Sequence, residues 1–451
     1  MGIELYKHQK VELAHLRLND SFAIFAEQGT GKTLPILFRL LELIKSGRVQ
    51  RALIVCPKAV MGSWQRDMEK FDSHDRVMLR NHISVINYDR IWRKSADDYR
   101  EKCWDAIVLD ESHKIKCHTR NRSRCLLEMA TTARYRYILT GTPISNGQLE
   151  NIWSQFAFLA PRLGRKNPKN GRPTIESVIF GGTYYQWLDR YAFLDKYHKP
   201  YRYRRVDELQ EIIADHSYRV LKSECLDLPD KLPDEIYDIH LPKDSAALYK
   251  EMHEESVIED MDVLAKNPLS RLLRMRQICS GWVAAPDGIT EIPCEKVEAL
   301  DDFLDGWEKK LVIFAEFKRS IDTICALLEK RKIKHVVLDG RQKDKTVWKQ
   351  FQTDESVRVI VCQYQSANAG IDLFAADTML FFEPTLSSNV LEQAKDRIHR
   401  IGQHRPCSYI HFLTVGSVEK AIYRALQNYA DFNEKLFSEY MEEYQKGWNN
   451  G

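Results

Sequence analysis

The sequence predicts an α/β fold: two parallel-sheet lobes, a helical and basic insert between them, and a helix closing the C-terminus. Three observations support this. Over the first ~160 residues short apolar runs alternate with helical pattern, the alternation resumes late in the chain, and the ~130 residues between follow neither rhythm. In the first lobe Ser21 to Ala26, Ala52 to Cys56, Ser84 to Asn87, Ala106 to Leu109 and Tyr137 to Leu139 read as strands, most ending in a polar or Gly-containing turn that leads into a helix. In the second lobe Leu311 to Ala315, His335 to Leu338, Val357 to Val361, Met379 to Phe382 and Tyr409 to Leu413 read the same way. Continuous apolar runs of this length suit a parallel sheet covered by helices on both faces. Between the lobes, Gly164, Pro168, Gly171, Pro173 and Gly181-Gly182 punctuate a loop-rich insert. Leu228-Pro229 and Leu232-Pro233 mark a linker, and Ser245 to about Ile278 reads as helical. Val418, Ile422, Ala425, Tyr429, Phe432, Leu436, Tyr440 and Tyr444 recur every three or four residues, which predicts one long helix from Val418 to Tyr444 with an apolar stripe. The boundaries are a first lobe at 1–160, a basic insert at 161–227, a linker and helical protrusion at 228–295, and a second lobe with a brace helix at 296–451.

The 451 residues allow about three domains, or two large lobes. With 44% hydrophobic and 29% charged residues, wholesale disorder and a disulfide-stapled small fold are excluded. No apolar run approaches the ~18 residues of a membrane span. Met1 to Lys7 lacks a signal-peptide core, so the expected location is intracellular, cytoplasmic or nucleoid (nuclear in a eukaryote), with no membrane partner. The ten cysteines include no C-x-x-C pair, which favours reduced structural thiols over zinc. Cys117, His118 and Cys125 are close in sequence but lack a fourth ligand at metal-site spacing.

The net charge of +3 singles out no partner; its distribution says more. Lys114, Lys116, Arg120, Arg122 and Arg124 form a run without an acidic residue. From Arg162 to Arg205 eleven basic residues face only Glu176, Asp189 and Asp195, interleaved with Tyr184, Tyr185, Tyr191, Tyr197, Tyr201 and Tyr203. Such a tract suits a nucleic-acid backbone, since each neutralised phosphate releases condensed counterions. The tyrosines either stack on unpaired bases or form a small core of the insert itself.

The sharpest signal is Ala26-Glu27-Gln28-Gly29-Thr30-Gly31-Lys32-Thr33, between a predicted strand and an apolar helix starting at Leu34. It has P-loop spacing, with Ala26 in place of the first glycine. Small residues let backbone N–H groups curl around phosphates, Lys32 reaches the β and γ oxygens, and the Thr33 hydroxyl suits Mg²⁺. The strand Ala106 to Leu109 ends in Asp110-Glu111-Ser112-His113, where the magnesium partner of a P-loop belongs. Asp110 is expected to hold the ion through water and Glu111 to polarise the attacking water.

With these sites placed, the chain resembles the Swi/Snf-like branch of superfamily-two helicase-type ATPases over nearly its whole length. Tyr6-Lys7-His8-Gln9 is similar to the Q motif, which implies that Gln9 contacts adenine. Val55-Cys56-Pro57-Lys58 with Ser63-Trp64, and Ile86-Asn87-Tyr88, resemble the segments that touch the DNA backbone, which implicates Pro57, Lys58 and Tyr88. Asp110-Glu111-Ser112-His113 resembles the DExH box, and Leu139-Thr140-Gly141-Thr142-Pro143-Ile144-Ser145-Asn146 resembles motif III. This makes His113, Thr140, Gly141 and Thr142 the link between nucleotide state and DNA grip. Arg274 to Cys279 resembles the helical stretch before the second lobe, and Leu311 to Phe317 and Leu338-Asp339-Gly340 its opening. Gln393 to Gln403, which contains Arg397-Ile398-His399-Arg400, matches motif VI almost letter for letter. On a helix Arg397 and Arg400 share one face, and arginine suits a transferred phosphoryl group. Motif V departs from many relatives. It reads Gln365-Ser366-Ala367-Asn368-Ala369-Gly370-Ile371-Asp372-Leu373, closer to the fork-remodelling, annealing-helicase subgroup.

The resemblance implies two RecA-like lobes with ATP and Mg²⁺ in the cleft between them. Gln9, Gln28 to Thr33, Asp110 and Glu111 come from the first lobe. Arg397, Arg400, Gln393, Gly370 and Asp372 come from the second, and Ser366 is assigned to coupling. It implies a DNA-stimulated ATPase that translocates along duplex or branched DNA as a monomeric motor, a stand-alone form of bacterial or viral type. Two other readings are a fork-acting strand-separating or annealing enzyme, and a nucleic-acid-binding scaffold with a slow nucleotide switch.

Overall fold

In the computed structural model the chain divides into two units, 1–227 and 228–451, each built on a six-stranded sheet whose neighbouring strands are all parallel. The structure describes every residue except 1–2, 28, 145–146, 167–170, 172, 226–227, 259–260, 262, 266, 287, 343, 345, 368–370 and 449–451. The expectations placed on Gln28, Ser145, Asn146, Lys169, Arg172, Asn368, Ala369 and Gly370 therefore lie outside the described residues.

The first unit contains β1 (Ser21–Ala26), β2 (Ala52–Cys56), β3 (Ile83–Asn87), β4 (Ala106–Asp110) and β5 (Tyr135–Leu139). Two antiparallel hairpins follow, β6 (Pro161–Lys166) with β7 (Pro173–Ser177), and β8 (Ala192–Leu194) with β9 (Pro200–Tyr203). The chain then returns to the sheet as β10 (Ser217–Val220), giving the order β10-β1-β5-β4-β2-β3. Alternation along each strand feeds two cores. β1 sends Ala23 and Phe25 to one side and Phe22, Ile24 and Ala26 to the other. The helix Thr33–Lys45 covers the second side with Ile36, Leu37, Leu40, Leu41, Leu43 and Ile44. Truncating one of these, such as Leu40, to Ala costs about 2–5 kcal/mol. Because all six strands run the same way, Ala26, Leu139, Asp110, Cys56 and Asn87 end along one edge. That edge is where a doubly wound sheet places its ligand.

The second unit opens with β11 (Glu235–Ile239), then two small hairpins, β12 (Val257–Ile258) with β13 (Val263–Leu264) and β14 (Trp282–Ala285) with β15 (Gly288–Glu291). Its sheet adds β16 (Leu311–Ala315), β17 (His335–Leu338), β18 (Val359–Gln363), β19 (Thr378–Phe381) and β20 (Ser408–Thr414), in the order β11-β20-β19-β16-β18-β17. β16 again alternates, with Val312 and Phe314 in one core and Leu311, Ile313 and Ala315 in the other.

The structure departs from the sequence expectations in three places. The segment 161–227 is not wholly an insert, since β10 pairs with β1, and the linker supplies β11 as an edge strand beside β20. Edge strands of four or five mixed residues carry too little apolar pattern to be read from sequence. The helical stretch from Ser245 to Ile278 is two helices, Lys243–Glu254 and Pro268–Cys279, separated by the β12–β13 hairpin. Ser256 takes φ 62° just past the first, and Asn267 caps the second with Pro268 in its first turn. The C-terminal helix is likewise two, Val418–Gln427 and Glu434–Trp448. Tyr429 turns left-handed at φ 55° and the Phe432 N–H donates to the Leu386 carbonyl, so the chain leaves the first axis. The expected stripe holds in part: Val418, Ile422 and Phe432 share one core, with Ala425, Leu436 and Tyr440 packed against it, whereas Tyr429 is exposed and the core is completed by Leu426 and Phe437.

Candidate active site

The phosphate loop leaves β1 with Gly29 at φ 83° and Gly31 at φ 82°, a region that side chains with a Cβ rarely enter. A Cβ on Gly31 would also sit 2.5 Å from Gln9 Nε2. The helix Lys7–Leu18 holds the loop from below. Gln9 Nε2 donates to the Gly31 carbonyl at 3.0 Å, its Oε1 accepts from the Tyr6 N–H, and His8 Nε2 lies 2.8 Å from the Thr30 carbonyl. The Gln9 amide is thus engaged with the loop backbone. Thr30 is buried and its hydroxyl donates to the Glu27 carbonyl; Lys32 then caps the helix that Thr33 begins.

Lys32 points toward the end of β4. Its Nζ lies 3.1 Å from Glu111 Oε1 and 3.8 Å from Asp110 Oδ1. Burial pulls the ammonium pKa down, and the two carboxylates more than offset this, leaving it above the usual lysine range. Burial raises Glu111 too, but Lys32 and His113 outweigh it and hold the group well below the ordinary carboxylate range, ionised. For Asp110 burial wins over Lys32 and its pKa is raised. Asp110 is fixed by Trp64, whose Nε1 donates to Oδ2 at 2.9 Å, and by Tyr88, whose hydroxyl donates to its backbone carbonyl at 2.9 Å. Its other oxygen, Oδ1, is buried and accepts no hydrogen bond among the described residues. A hard anionic oxygen left open at this edge, with the Thr33 hydroxyl opening the neighbouring helix, fits Mg²⁺.

Glu111 sits at φ 55°, a left-handed conformation unusual outside glycine, which turns the chain into the short helix Ser112–Ile115. The Ser112 hydroxyl donates to Gln155 Oε1, and Gln155 Nε2 in turn donates to the carbonyls of Pro143 and Asn151. This ties the acidic turn to the segment after β5. A second tie runs through His113. Its Nδ1 is 3.3 Å from Glu111 Oε2 and 3.2 Å from Thr140 Oγ1, and Thr140 Oγ1 accepts from the Thr142 N–H across Gly141.

The structure therefore gathers Gln9, Gly29, Thr30, Gly31, Lys32, Thr33, Asp110, Glu111, His113, Thr140, Gly141 and Thr142 at one edge of the first sheet. Pro57 and Lys58 follow β2 at the same edge, with Lys58 exposed. Tyr88 departs from the expected side-chain contact: its ring is buried and its hydroxyl donates to the Asp110 backbone carbonyl, so the ring faces the acidic strand end and not solvent. Sequence reasoning missed Trp64 as a partner of Asp110. It also missed Glu12, whose two buried oxygens have no hydrogen-bond partner among the described residues. Burial pushes the Glu12 carboxyl up to about 8 against the opposing pull of Lys32. A glutamate on the apolar side of the helix Lys7–Leu18 was the only signal.

In the second unit the helix Ser388–Lys395 stops before the arginines, so Arg397 and Arg400 do not share a helix face. They lie in the turns that follow. Gln403 Nε2 donates to the carbonyls of Ala376 and Ile398, and Gly402 at φ 101° closes the bend. Arg397 is buried, and Arg400 Nη1 pairs with Asp372 Oδ1 at 2.6 Å and donates to the Ile371 carbonyl. Gln393 donates to Asn389 on its own helix, and Ser366 lies in the short helix Tyr364–Ala367 after β18.

A loop of this backbone, opening on a helix and facing an Asp-Glu pair two strands away, is the phosphate-site arrangement of a P-loop nucleotide-binding protein. The chain belongs to the SNF2-related family. The SNF2-related domain matches residues 8–281, more than half of the chain, and the helicase conserved C-terminal domain matches residues 295–402. An uncharacterized ATP-dependent helicase of Mycoplasma genitalium is 26% identical over 450 residues, covering 93% of this chain and 41% of the relative. A chromodomain-helicase-DNA-binding protein 1-like of Danio rerio is 26% identical, covering 88% of this chain and 40% of the relative. The chain thus spans about two fifths of the length of these curated relatives. Among solved structures, the SWI2/SNF2 ATPase core of Sulfolobus solfataricus in complex with dsDNA is 26% identical at a TM-score of 0.43, over 97% of this chain and 92% of that one.

Proposed function

We propose that this chain is a DNA-stimulated ATPase that translocates along duplex or branched DNA and remodels DNA or protein–DNA complexes. The observation that carries the reading is the chain of contacts Lys32–Glu111–His113–Thr140, which links the phosphate loop to the segment after β5. An ATPase that only hydrolyses has no need of such a tie; a motor must convert nucleotide state into a change elsewhere.

The roles follow from the side chains. Lys32, now balanced by two carboxylates, neutralises the β and γ oxygens of ATP, and the backbone N–H groups of Gly29 to Lys32 accommodate the phosphates. Glu111 stays ionised because Lys32 and His113 hold its pKa low, so it accepts a proton-bearing contact from the attacking water. Asp110 and Thr33 would hold Mg²⁺, which when bound supplies neutralisation of developing phosphate charge. Arg397 and Arg400 serve as the arginines that stabilise the transferred phosphoryl group, with Gln393 and Asp372 beside them. Gln9 acts on the nucleotide by fixing the loop at Gly31. Pro57, Lys58 and Ser366 belong to the DNA contact, gripped mainly at phosphates and hence sequence-tolerant and salt-sensitive.

ATP hydrolysis titrated in parallel with single-stranded, duplex and forked DNA and with RNA tests the reading. Stimulation by duplex or forked DNA is expected. Equal basal turnover with every nucleic acid would overturn it in favour of a slow nucleotide switch. Triplex displacement beside strand displacement then separates duplex walking from strand separation, because a duplex walker strips the third strand and leaves the duplex paired.

A further inference from the structure

The six tyrosines of the basic tract divide sharply in the structure. Tyr191 is buried in the first unit's core, Tyr184 packs against that core, and Tyr203 is tied by its hydroxyl to Glu150. Tyr185, Tyr197 and Tyr201 are 71%, 69% and 68% exposed. Two of these three, Tyr197 and Tyr201, sit on one short hairpin, β8–β9, beside the half-exposed ring of Phe193.

The hairpin is stiff where it is anchored and where it turns. At its base the Arg204 N–H donates to the Tyr191 carbonyl and the Arg204 guanidinium bonds the Asp189 carbonyl. At its tip Asp195 Oδ1 accepts the N–H groups of both Tyr197 and Lys199 at 2.8 Å, while the Asp195 N–H donates to the Lys199 carbonyl. Asp195 is thereby engaged in the turn. A bulge between Phe193 and Leu194 leaves Tyr201 as the extra residue, and its ring centroid lies 6.5 Å from that of Phe193. Bulges re-aim side chains in this way. Lys196, Lys199 and Arg202 are exposed, and among the described residues none has an acidic partner within 4.0 Å. The Lys196 ammonium lies 5.0 Å from the Tyr197 ring centroid, and the Arg204 guanidinium 5.0 Å from that of Phe193.

Large rings left in water on a preorganised hairpin, alternating with unpaired cations, match one kind of partner. Duplex DNA hides its base faces in the stack and offers phosphates and groove edges, which would engage the lysines and leave the rings without a stacking partner. An unpaired strand offers both phosphates and base faces, and every base has a face to stack. We propose that the β8–β9 hairpin binds an unpaired polynucleotide strand, with Tyr197 and Tyr201 stacking on bases and Lys196, Lys199 and Arg202 meeting phosphates. The proposal rests on the nucleic-acid reading above and deepens it: the branched substrate is recognised at its unpaired arm.

Fluorescence anisotropy of the full chain with a labelled single-stranded oligodeoxynucleotide, the matching blunt duplex, a fork of the same sequence and the equivalent RNA strand tests it. Tyr197→Ala with Tyr201→Ala should weaken the single strand and the fork about tenfold or more, with duplex affinity changed less than about twofold. Tyr197→Phe with Tyr201→Phe should restore binding, because stacking needs the ring and not the hydroxyl. Lys196→Gln, Lys199→Gln and Arg202→Gln together should lower the salt slope for the single strand by about two. A loss for RNA equal to that for single-stranded DNA supports the site, since rings and phosphates are common to both. Unchanged binding in the double Ala variant at unchanged thermal melting, or an equal loss on blunt duplex, overturns the proposal while leaving the motor reading intact. A wild-type chain that binds none of the four probes overturns both.

Discussion

At the edge of the first sheet Lys32 faces two carboxylates, one oxygen of Asp110 has no donor among the described residues, and Glu111 is held in a left-handed turn. The second unit has a parallel sheet of the same size, and two of its cations are held by carboxylates. Arg400 is paired with Asp372, and Lys296 is fully buried against Glu419 at 2.6 Å. The difference teaches that the same architecture serves two ends. At the first unit's edge one carboxylate oxygen is left without a donor among the described residues, whereas in the second unit Lys296 and Glu419 are closed within the core and Arg400 is held by Asp372. Substitution at Lys32 should therefore harm chemistry, and substitution in the Lys296–Glu419 pair should harm folding.

The largest effect is expected at Lys32. Lys32→Ala should reduce ATP turnover about 10³-fold, with duplex DNA affinity nearly intact by anisotropy. Turnover above about a tenth of wild type would remove Lys32 from the phosphate site. Next is Arg400→Ala. An arginine at a transferred phosphoryl group is worth about 10³–10⁵ in rate, and with Arg397 sharing the role a loss of about 10²-fold is expected, with ATP affinity little changed. If Asp372→Asn lowers turnover as far as Arg400→Ala does, Arg400 acts through its ion pair and the comparison breaks.

The third effect is on folding. Glu419 accepts from Lys296 and from the Thr414 N–H, so Glu419→Gln leaves a buried ammonium without its counter-charge and should cost about 3–5 kcal/mol in urea unfolding. Lys296→Met with Glu419→Leu should recover most of it. The last effect, which depends on pH, sharpens the contrast from the other side. Glu12 in the folded chain holds its proton up to about pH 8, against an ordinary value of 4.5, so the stability it contributes is complete below about pH 4.5 and lost as pH rises toward and past 8. Glu12→Gln cannot lose a proton. Its melting temperature should exceed that of wild type by a margin that grows between pH 5 and 8; a constant margin would mean that Glu12 is ionised throughout.

Much of this site was legible in the sequence because it is locally coded. A strand, a glycine-bearing loop and a helix in succession placed Lys32 and Thr33, and four apolar residues before Asp110 placed the acid at a strand's end. What was illegible depends on residues far apart. Trp64 meets Asp110 across 46 positions, and the resemblance that marked Tyr88 for DNA gave no hint that its ring is buried against the same acid. The motif VI letters identified Arg397 and Arg400 but not that the preceding helix ends at Lys395, nor that Gln403 holds the turns they occupy to the Ala376 carbonyl of another segment. The tyrosine-rich tract was legible only as a composition, and burial sorted it into core and surface.

By itself the sequence determined the two lobes, the phosphate loop and its acidic partner, and the family, since periodicity and motif spacing are properties of neighbours along the chain. Only the tertiary structure decided which charges stay open, which tyrosines face water, and where β10 and β11 join their sheets. Desolvation and pairing depend on what packs against a group, and the packing partners are supplied by remote parts of the chain.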